Sequence, residues 1–358
     1  MDLTEMTQNN QSAPPGAKKN LKWTLVSVLI AALSIWAVTS QWKNFSLGEF
    51  IDYVSRANKG WLAAACMGTA GFVFFEACAL RSACRAMGYP TCIGRSCGYA
   101  AADIYFSAIT PSASGGQPAC AFLMMRDGIP GIVTTAVLLL TLSMYALSIL
   151  AIGVVCAVLR PEVLTSFGTP SKVLIAVGFA AQIGLAVFFI MLLKSEWLLE
   201  RLLRWGIGVL GKIRILKHAE QRLERLETTM EEYRRCIALL SGHRGLMTTS
   251  FLFNFLQRAA LISVSMFTYM AMGGNFRLAL NVFAMQGFVV IGSNCVPIPG
   301  AMGVADYLML DGFNAFLSPD QVISMELLSR SISFYSCVLI CGALFLIATT
   351  RQRKAGGQ

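Results

Sequence analysis

The sequence predicts an all-α polytopic membrane protein arranged as an inverted repeat of two halves, each with three transmembrane helices and one re-entrant helical hairpin. Three observations carry that prediction. Hydrophobic residues make up 56% of the 358 and charged residues 13%, and a soluble fold of this size has no interior for so much apolar surface. Basic residues cluster at the ends of apolar runs, which sets the orientation of each run. Two runs are interrupted by related breaks, Pro111-Ser112-Ala113-Ser114-Gly115-Gly116-Gln117 and Pro299-Gly300-Ala301-Met302-Gly303-Val304-Ala305-Asp306, both of the form P-x-A-x-G. An unwound break in hydrocarbon needs internal partners for its freed N–H and C=O groups. A pair of such breaks in corresponding places marks the binding site of a transporter with internal repeats.

Taken in order, residues 1–20 are polar, with Pro14-Pro15-Gly16, and read as a disordered cytoplasmic tail. Lys18, Lys19 and Lys22 precede a first span at about 22–40, which keeps the N-terminus inside. The mixed stretch 41–59, with Trp42, Phe50 and Tyr53, suits a short interfacial helix on the outer face. A second span at about 60–80 returns to Arg81, Arg85 and Arg95. In 96–127, Ser96 to Thr110 and Pro118 to Arg126 flank the first break, and each piece is too short for a core of about 30 Å. With Arg95 and Arg126 at its two ends, the stretch reads as a hairpin entered from the cytoplasm.

A span at about 130–159 goes out, Arg160 to Lys172 forms an outer loop, and 173–193 comes back. The polar insertion 194–245 follows. Its part 197–217 (Trp197, Trp205, Arg201, Arg204, Lys212, Lys217) reads as a basic amphipathic helix on the anionic leaflet. In 223–240 the apolar residues Leu223, Leu226, Met230, Tyr233, Ile237 and Leu240 form a seam that suits packing on the chain itself or a homodimer. A span at about 246–271 leads outward, and a second broken segment runs from Phe276 to Asn294 and from Gly303 to Phe316. A last span at about 322–349 ends at Arg351, Arg353 and Lys354 inside. Repeat 1 is thus about 22–159 and repeat 2 about 173–349, within one membrane domain at 21–350. Three crossings per half is an odd number, so the second half runs upside down relative to the first, and the two hairpin tips meet near the midplane.

Thr110 to Pro118, followed by Arg126-Asp127-Gly128, resembles a hallmark of the lysylphosphatidylglycerol synthase transmembrane (flippase-like) family. Pro297-Ile298-Pro299-Gly300-Ala301-Met302-Gly303, followed by Asp306, resembles its second hallmark, P-x-P-G-x-x-G with an acidic residue, although Ala301 and Val304 stand where glycine is common. The resemblance covers roughly 20–350 and implies translocation of lipid. The family's best-known members carry an aminoacyltransferase domain besides. Here the chain stops at Gln358, soon after its last span, so lipid transport without that chemistry is the expectation.

The hairpin tips supply the headgroup candidates Ser112, Ser114, Gly115, Gly116 and Gln117 on one side and Asn294, Pro299, Gly300 and Gly303 on the other. Half-helix N-termini there would aim N–H groups at an anion, and phosphate is the anion a membrane supplies. Glu76, Asp103, Arg258, Asp306, Glu326 and Arg330 are ionisable groups inside apolar runs, where such groups face a cavity or a partner. Arg258, beside Gln257 and one turn after Asn254, has two roles open to it: holding a phosphate or pairing with Asp103 or Asp306. Asp103, Asp306 and Glu76 are candidates for ion or proton coupling. Glu326 and Arg330, at i and i+4, can pair with each other. Gln117, Gln286 and Asn294 suit a wet cavity.

An integral-membrane lipid-modifying transferase would need a tuned base, a nucleophile or a metal cluster. The two histidines, His218 and His243, lie apart in the insertion, and no metal-ligand spacing or Walker pattern occurs. Cys66, Cys78, Cys156, Cys337 and Cys341 sit in apolar runs and read as small buried hydrophobes, not metal ligands or disulfides. The expectation is therefore a plasma-membrane, multi-pass lipid transporter with both termini cytoplasmic. It has no cofactor and no nucleic-acid partner, and it moves an anionic or aminoacylated phospholipid. A secondary transporter of a small anionic or amphipathic solute and the transferase are the alternatives.

Overall fold

Helix dominates because long apolar runs rich in Leu, Ala, Val and Phe leave the backbone no solvent to bond with, and an α-helix satisfies its own N–H and C=O groups. The computed structural model of the chain describes residues 51, 54–110, 113–212, 226–242, 244–294, 296, 303–314 and 317–355, all within the compact unit Ser46–Gln358. The tail 1–20, the span at about 22–40, most of 41–53, Pro111, Ser112, Pro299 and Gly300 lie outside the described residues.

The helices are α1 (Lys59–Ala86), α2 (Ile93–Ile109), α3 (Gly116–Arg126), α4 (Gly131–Leu159), α5 (Pro161–Ser166), α6 (Thr169–Lys194) and α7 (Glu196–Lys212). They continue with α8 (Leu226–Gly242), α9 (Arg244–Ala271), α10 (Ala279–Asn294), α11 (Val304–Phe313), α12 (Pro319–Arg330) and α13 (Ser336–Ala355). Among the described residues six stretches are long and apolar enough to cross a membrane: Lys59–Ala86, Gly131–Leu159, Thr169–Lys194, Gly245–Ala271, Phe276–Asn294 and Gln321–Thr350. Five coincide with expected spans. The other, Phe276–Asn294, was expected as the first arm of the second hairpin. Its 19 residues reach about 28 Å at 1.5 Å per residue, whereas α2 has 17 and carries Arg95 and Asp103.

The pair α1 and α9 forms the scaffold. Asn58 caps α1 by accepting from the N–H groups of Gly60 and Trp61, and its own N–H donates to the Ala271 carbonyl at 2.8 Å. The start of α1 therefore lies beside the end of α9. Further along, a Cβ on Gly68 would stand 3.0 Å from the Ala260 carbonyl and 3.1 Å from Val264. The two 28-residue helices thus run antiparallel, in close contact through small residues, the usual device for packing helices in lipid.

The two broken segments form antiparallel helix pairs. In α2–α3, Tyr99 donates to Asp127 at 2.5 Å, joining the base of one arm to the end of the other. In α10–α11, Leu308 lies against Gly292 and Met285 against Gly312. Arms of 17 and 11 residues are matched by arms of 16 and 10. The first pair packs on α1 and α13, the second on α9, α4 and α6.

The last span is not one regular helix. Between α12 and α13 the chain makes a π-helical segment, Ser331–Tyr335. Thr69 donates to the Ile332 carbonyl at 3.3 Å, and the Ser336 hydroxyl to that of Ser331 at 2.7 Å, a carbonyl that also accepts the Ser336 N–H. Such bulges gather at functional sites, and nothing in the residue spacing announced this one.

In the insertion, Met230, Tyr233 and Cys236 are buried against Leu192, Leu193, Leu199 and Leu246. The Tyr233 hydroxyl donates to the Leu192 carbonyl at 3.1 Å. The described part of the 223–240 seam is therefore used on the chain's own core. On α7, Trp197 and Trp205 are exposed, and Arg201 lies over the Trp197 ring at 5.1 Å. Cys66 and Cys92 are exposed, which corrects the expectation of a buried Cys66: its position on α1 faces outward, where a thiol behaves as a small apolar group toward lipid.

Candidate functional site

A cavity of about 690 Å³ lies between the scaffold and both helix pairs. From α2 and α3 come Asp103, Ser107 and Gln117. From α10 come Gln286, Ser293 and Asn294, and from the scaffold Glu76, Asn254, Gln257 and Arg258. Leu185 and Phe189 on α6 and Phe334 and Val338 near α13 complete an apolar wall. A polar floor with apolar flanks suits an amphipathic ligand.

The first tip is built by its own short side chains. Thr110 ends α2 and donates to the Phe106 carbonyl at 2.6 Å, while its hydroxyl accepts from the Gly115 N–H at 2.9 Å. Ala113 stands between them at φ +53°, a conformation that costs an alanine about 1 kcal/mol. The Gly115 N–H, expected to face an anion, is thus directed at Thr110. Gly116 begins α3 pressed against Asp103 and Ser107, so closely that a Cβ there would collide with both. No other residue type fits that approach.

Two carboxyl groups meet below this tip. Glu76 on α1 and Asp103 on α2 both line the cavity, near each other and near Arg258. Gln257 donates from Nε2 to Glu76 at 2.7 Å, and Gln117 does the same to Asp103 at 2.7 Å. Ser107 adds a longer contact to Asp103 at 3.3 Å. Glu76 is 6% and Asp103 8% exposed.

Arg258 is held between rings, 4.2 Å from the Tyr145 centroid and 5.2 Å from that of Phe72. Its buried Nε–H has no acceptor among the described residues. Among the described residues no carboxylate lies within salt-bridge distance of its guanidinium. Of its two roles, the ion pair with Asp306 is not formed: Asp306 pairs with Arg330 and accepts from the Gly303 N–H at 2.9 Å. Gly303 starts α11 at φ +82°, which glycine alone adopts without strain. Arg330 also meets Glu326 at 3.3 Å, as their spacing predicted.

Of the residues singled out from sequence, Glu76, Asp103, Gln117, Arg258, Gln286 and Asn294 line one cavity, and Asp306 reaches it through Arg330. Ser114 and Gly303 are exposed at their tips. Sequence reasoning missed Gln182, a buried amide in the apolar run of α6, and Tyr145, whose hydroxyl accepts from Asn294 at 3.4 Å. A lone amide in an apolar span was a signal for the first; one tyrosine among many gave none for the second.

No curated protein matches the chain. Residues 24–341 match the family described as the lysylphosphatidylglycerol synthase TM region. With six apolar helices of spanning length among the described residues and a match over most of its length, the chain belongs to the lysylphosphatidylglycerol synthase TM-region family and is a multi-pass membrane protein.

Proposed function

We propose that the protein translocates a polar phospholipid across the plasma membrane, the headgroup riding in the cavity on Arg258 while the acyl chains stay in lipid. The observation that carries this reading is Arg258 itself. A guanidinium in a membrane interior with, among the described residues, no carboxylate within salt-bridge distance and no acceptor for its buried Nε–H leaves donors in the geometry a phosphate oxygen takes. Gln117, Asn294 and the first-tip residues Ser114, Gly115 and Gly116 would lie on the moving parts around the headgroup. Gly303 would do so at the second tip.

The movement would be a rocking of two inverted repeats, with α2–α3 entering from the cytoplasm and α10–α11 from outside, and with both termini cytoplasmic. Three relationships support it: the equal, antiparallel α1 and α9, the matched arm lengths, and the exchange of neighbours (α2 on α13, α10 on α4) that an in-plane two-fold axis produces. Asp306, held by Arg330, would fasten the second hairpin to α12 in one arrangement and release it in the other. Residues 197–217 would rest on the anionic leaflet, with Trp197 and Trp205 at headgroup depth. A homodimer through 223–240 would have to share that seam with the core.

The test is leaflet exposure of a tail-labelled phospholipid in reconstituted vesicles. Dithionite quenches only the outer half of the label in empty vesicles and is expected to quench nearly all of it in vesicles holding the protein. Quenching that stops at the empty-vesicle plateau for phosphatidylglycerol, phosphatidylethanolamine and phosphatidylcholine alike would overturn the proposal.

A further inference from the structure

The hydrogen bonds of the cavity say what a ligand must bring besides a phosphate. An ionised carboxylate only accepts, so a glutamine facing one turns its NH2 toward it and its carbonyl away. Two glutamines on different helices are oriented in this way. Gln257 on α9 donates from Nε2 to Glu76 on α1, and Gln117 on α3 donates from Nε2 to Asp103 on α2, both at 2.7 Å. Each Oε1 is buried and has no donor among the described residues. Gln286 on α10, which lines the same cavity, has a buried Oε1 in the same state. Gln257 is 2% exposed, and an acceptor left unpaired at such depth is expensive. The two arginines of the cavity do not supply the missing donors. Arg258 stacks between Tyr145 and Phe72, and Arg330 is paired with Asp306 and Glu326.

We infer that the carbonyls of Gln117, Gln257 and Gln286 select headgroups whose alcohol or amine portion carries O–H or N–H donors, while Arg258 holds the phosphate. Glycerol offers two hydroxyls and ethanolamine three ammonium N–H groups. Choline, with the same charge as ethanolamine, offers no donor and would strand the carbonyls. A site built to bond a donor rejects the analogue that lacks it far more strongly than a site that only has to fit its shape. Glu76 and Asp103 are then positioning residues, since they fix which end of each amide is left for the ligand. All of this rests on the headgroup site proposed above.

The experiment measures how fast tail-labelled lipids become accessible to dithionite in vesicles holding the protein, relative to empty vesicles. In an amine set, phosphatidylethanolamine is methylated once, twice and three times on nitrogen, which removes the donors one by one at constant charge. In an alcohol set, phosphatidylglycerol is compared with phosphatidylpropanol, which keeps the carbon chain and lacks both hydroxyls. Each carbonyl left without a donor is expected to slow movement about tenfold, so the choline lipid falls about a hundredfold below the ethanolamine lipid for the two carbonyls that carboxylates hold in place. Phosphatidylpropanolamine is longer by one methylene but keeps every N–H, and it is expected to move like the ethanolamine lipid. Gln257→Met is expected to narrow the ethanolamine-to-choline ratio about tenfold; the lipid sets in the unaltered protein carry the test if that variant does not fold. A fall confined to the amine set assigns the carbonyls to an ammonium group, and one confined to the alcohol set assigns them to hydroxyls. Equal rates across both sets, or a propanolamine lipid as slow as the choline lipid, overturn the selectivity and leave lipid translocation standing. No movement of any labelled lipid overturns the headgroup site and the selectivity with it.

Discussion

Tyr99 donates its hydroxyl to Asp127 across the open end of the α2–α3 pair, at 2.5 Å. The residue that follows α3 is thereby tied to the second turn of α2, and the chain enters and leaves this pair on one side. The Schellman-type turn that follows α3, with the Ile129 N–H on the Met124 carbonyl at 3.1 Å, then starts the long span α4 from the same level.

A topology experiment follows from that tie. An impermeant maleimide is expected to label exposed Cys92 and an Arg126→Cys variant from the cytoplasmic face only. Arg277→Cys and Asn314→Cys are expected to label from the outer face only. Labelling of positions 92 and 126 from opposite faces would make α2–α3 a crossing and end the inverted-repeat proposal.

Gly116→Ala places a methyl group where Asp103 and Ser107 already stand. Overpacking of this kind costs about 1–3 kcal/mol, so the midpoint of thermal unfolding in detergent is expected to fall by several degrees and lipid movement to be lost. Gly94→Ala is the control. Its Cβ meets nothing within 4 Å, and the gain in helix propensity, up to about 1 kcal/mol, leaves stability equal or higher.

Arg258→Lys keeps the charge but loses the planar group that stacks between Tyr145 and Phe72, a contact worth about 1–2 kcal/mol when desolvated. A drop in translocation rate of roughly tenfold is expected, with the melting midpoint changed little. Arg258→Gln is expected to abolish translocation. A Lys variant with unaltered rate would show that the stacking is incidental.

Arg330 serves two carboxylates, Asp306 and Glu326. Arg330→Gln leaves both without a cation in a half-closed environment and is expected to cost about 3 kcal/mol. Adding Asp306→Asn and Glu326→Gln removes the stranded charges and is expected to restore most of the stability. Chemical denaturation followed by tryptophan fluorescence checks the order of the three proteins. A triple variant no more stable than the single one would show that Arg330 stabilises by packing.

Tyr233 fastens the insertion to the end of α6. Tyr233→Phe loses one hydrogen bond, about 1 kcal/mol, and Tyr233→Ala opens a cavity worth about 3–5 kcal/mol. Cys236, one turn on, reports the difference. Burial pushes its thiol up from the ordinary value, and Glu232 adds to the effect, so at pH 8 the reactive thiolate is scarcer than in an exposed cysteine and gains only as pH rises. Modification by iodoacetamide at pH 8 is expected to be slow in the unaltered protein and in Tyr233→Phe, and fast in Tyr233→Ala.

The sequence was informative wherever a residue type is expensive in lipid. Run length and basic ends located the spans. Charged or amide residues inside those runs named Glu76, Asp103, Gln117, Arg258, Gln286 and Asn294, because a polar group in hydrocarbon requires a reason to be there. Aromatic and hydroxyl residues carry no such penalty, so Tyr145 beneath Arg258 and Thr69 on the π segment were invisible.

By itself, then, the chain determined an all-helical membrane protein, its broken segments and its set of ionisable residues, since each depends on what one stretch of backbone or one side chain costs in a bilayer. Tertiary structure decided the pairings. Glu76 finds Gln257, Asp103 finds Gln117, Asp306 finds Arg330, and Arg258 is left between two rings with a donor that no described residue accepts. Those choices turn on distances between helices far apart in sequence, and helix periodicity says which face a residue occupies but not which helix stands opposite.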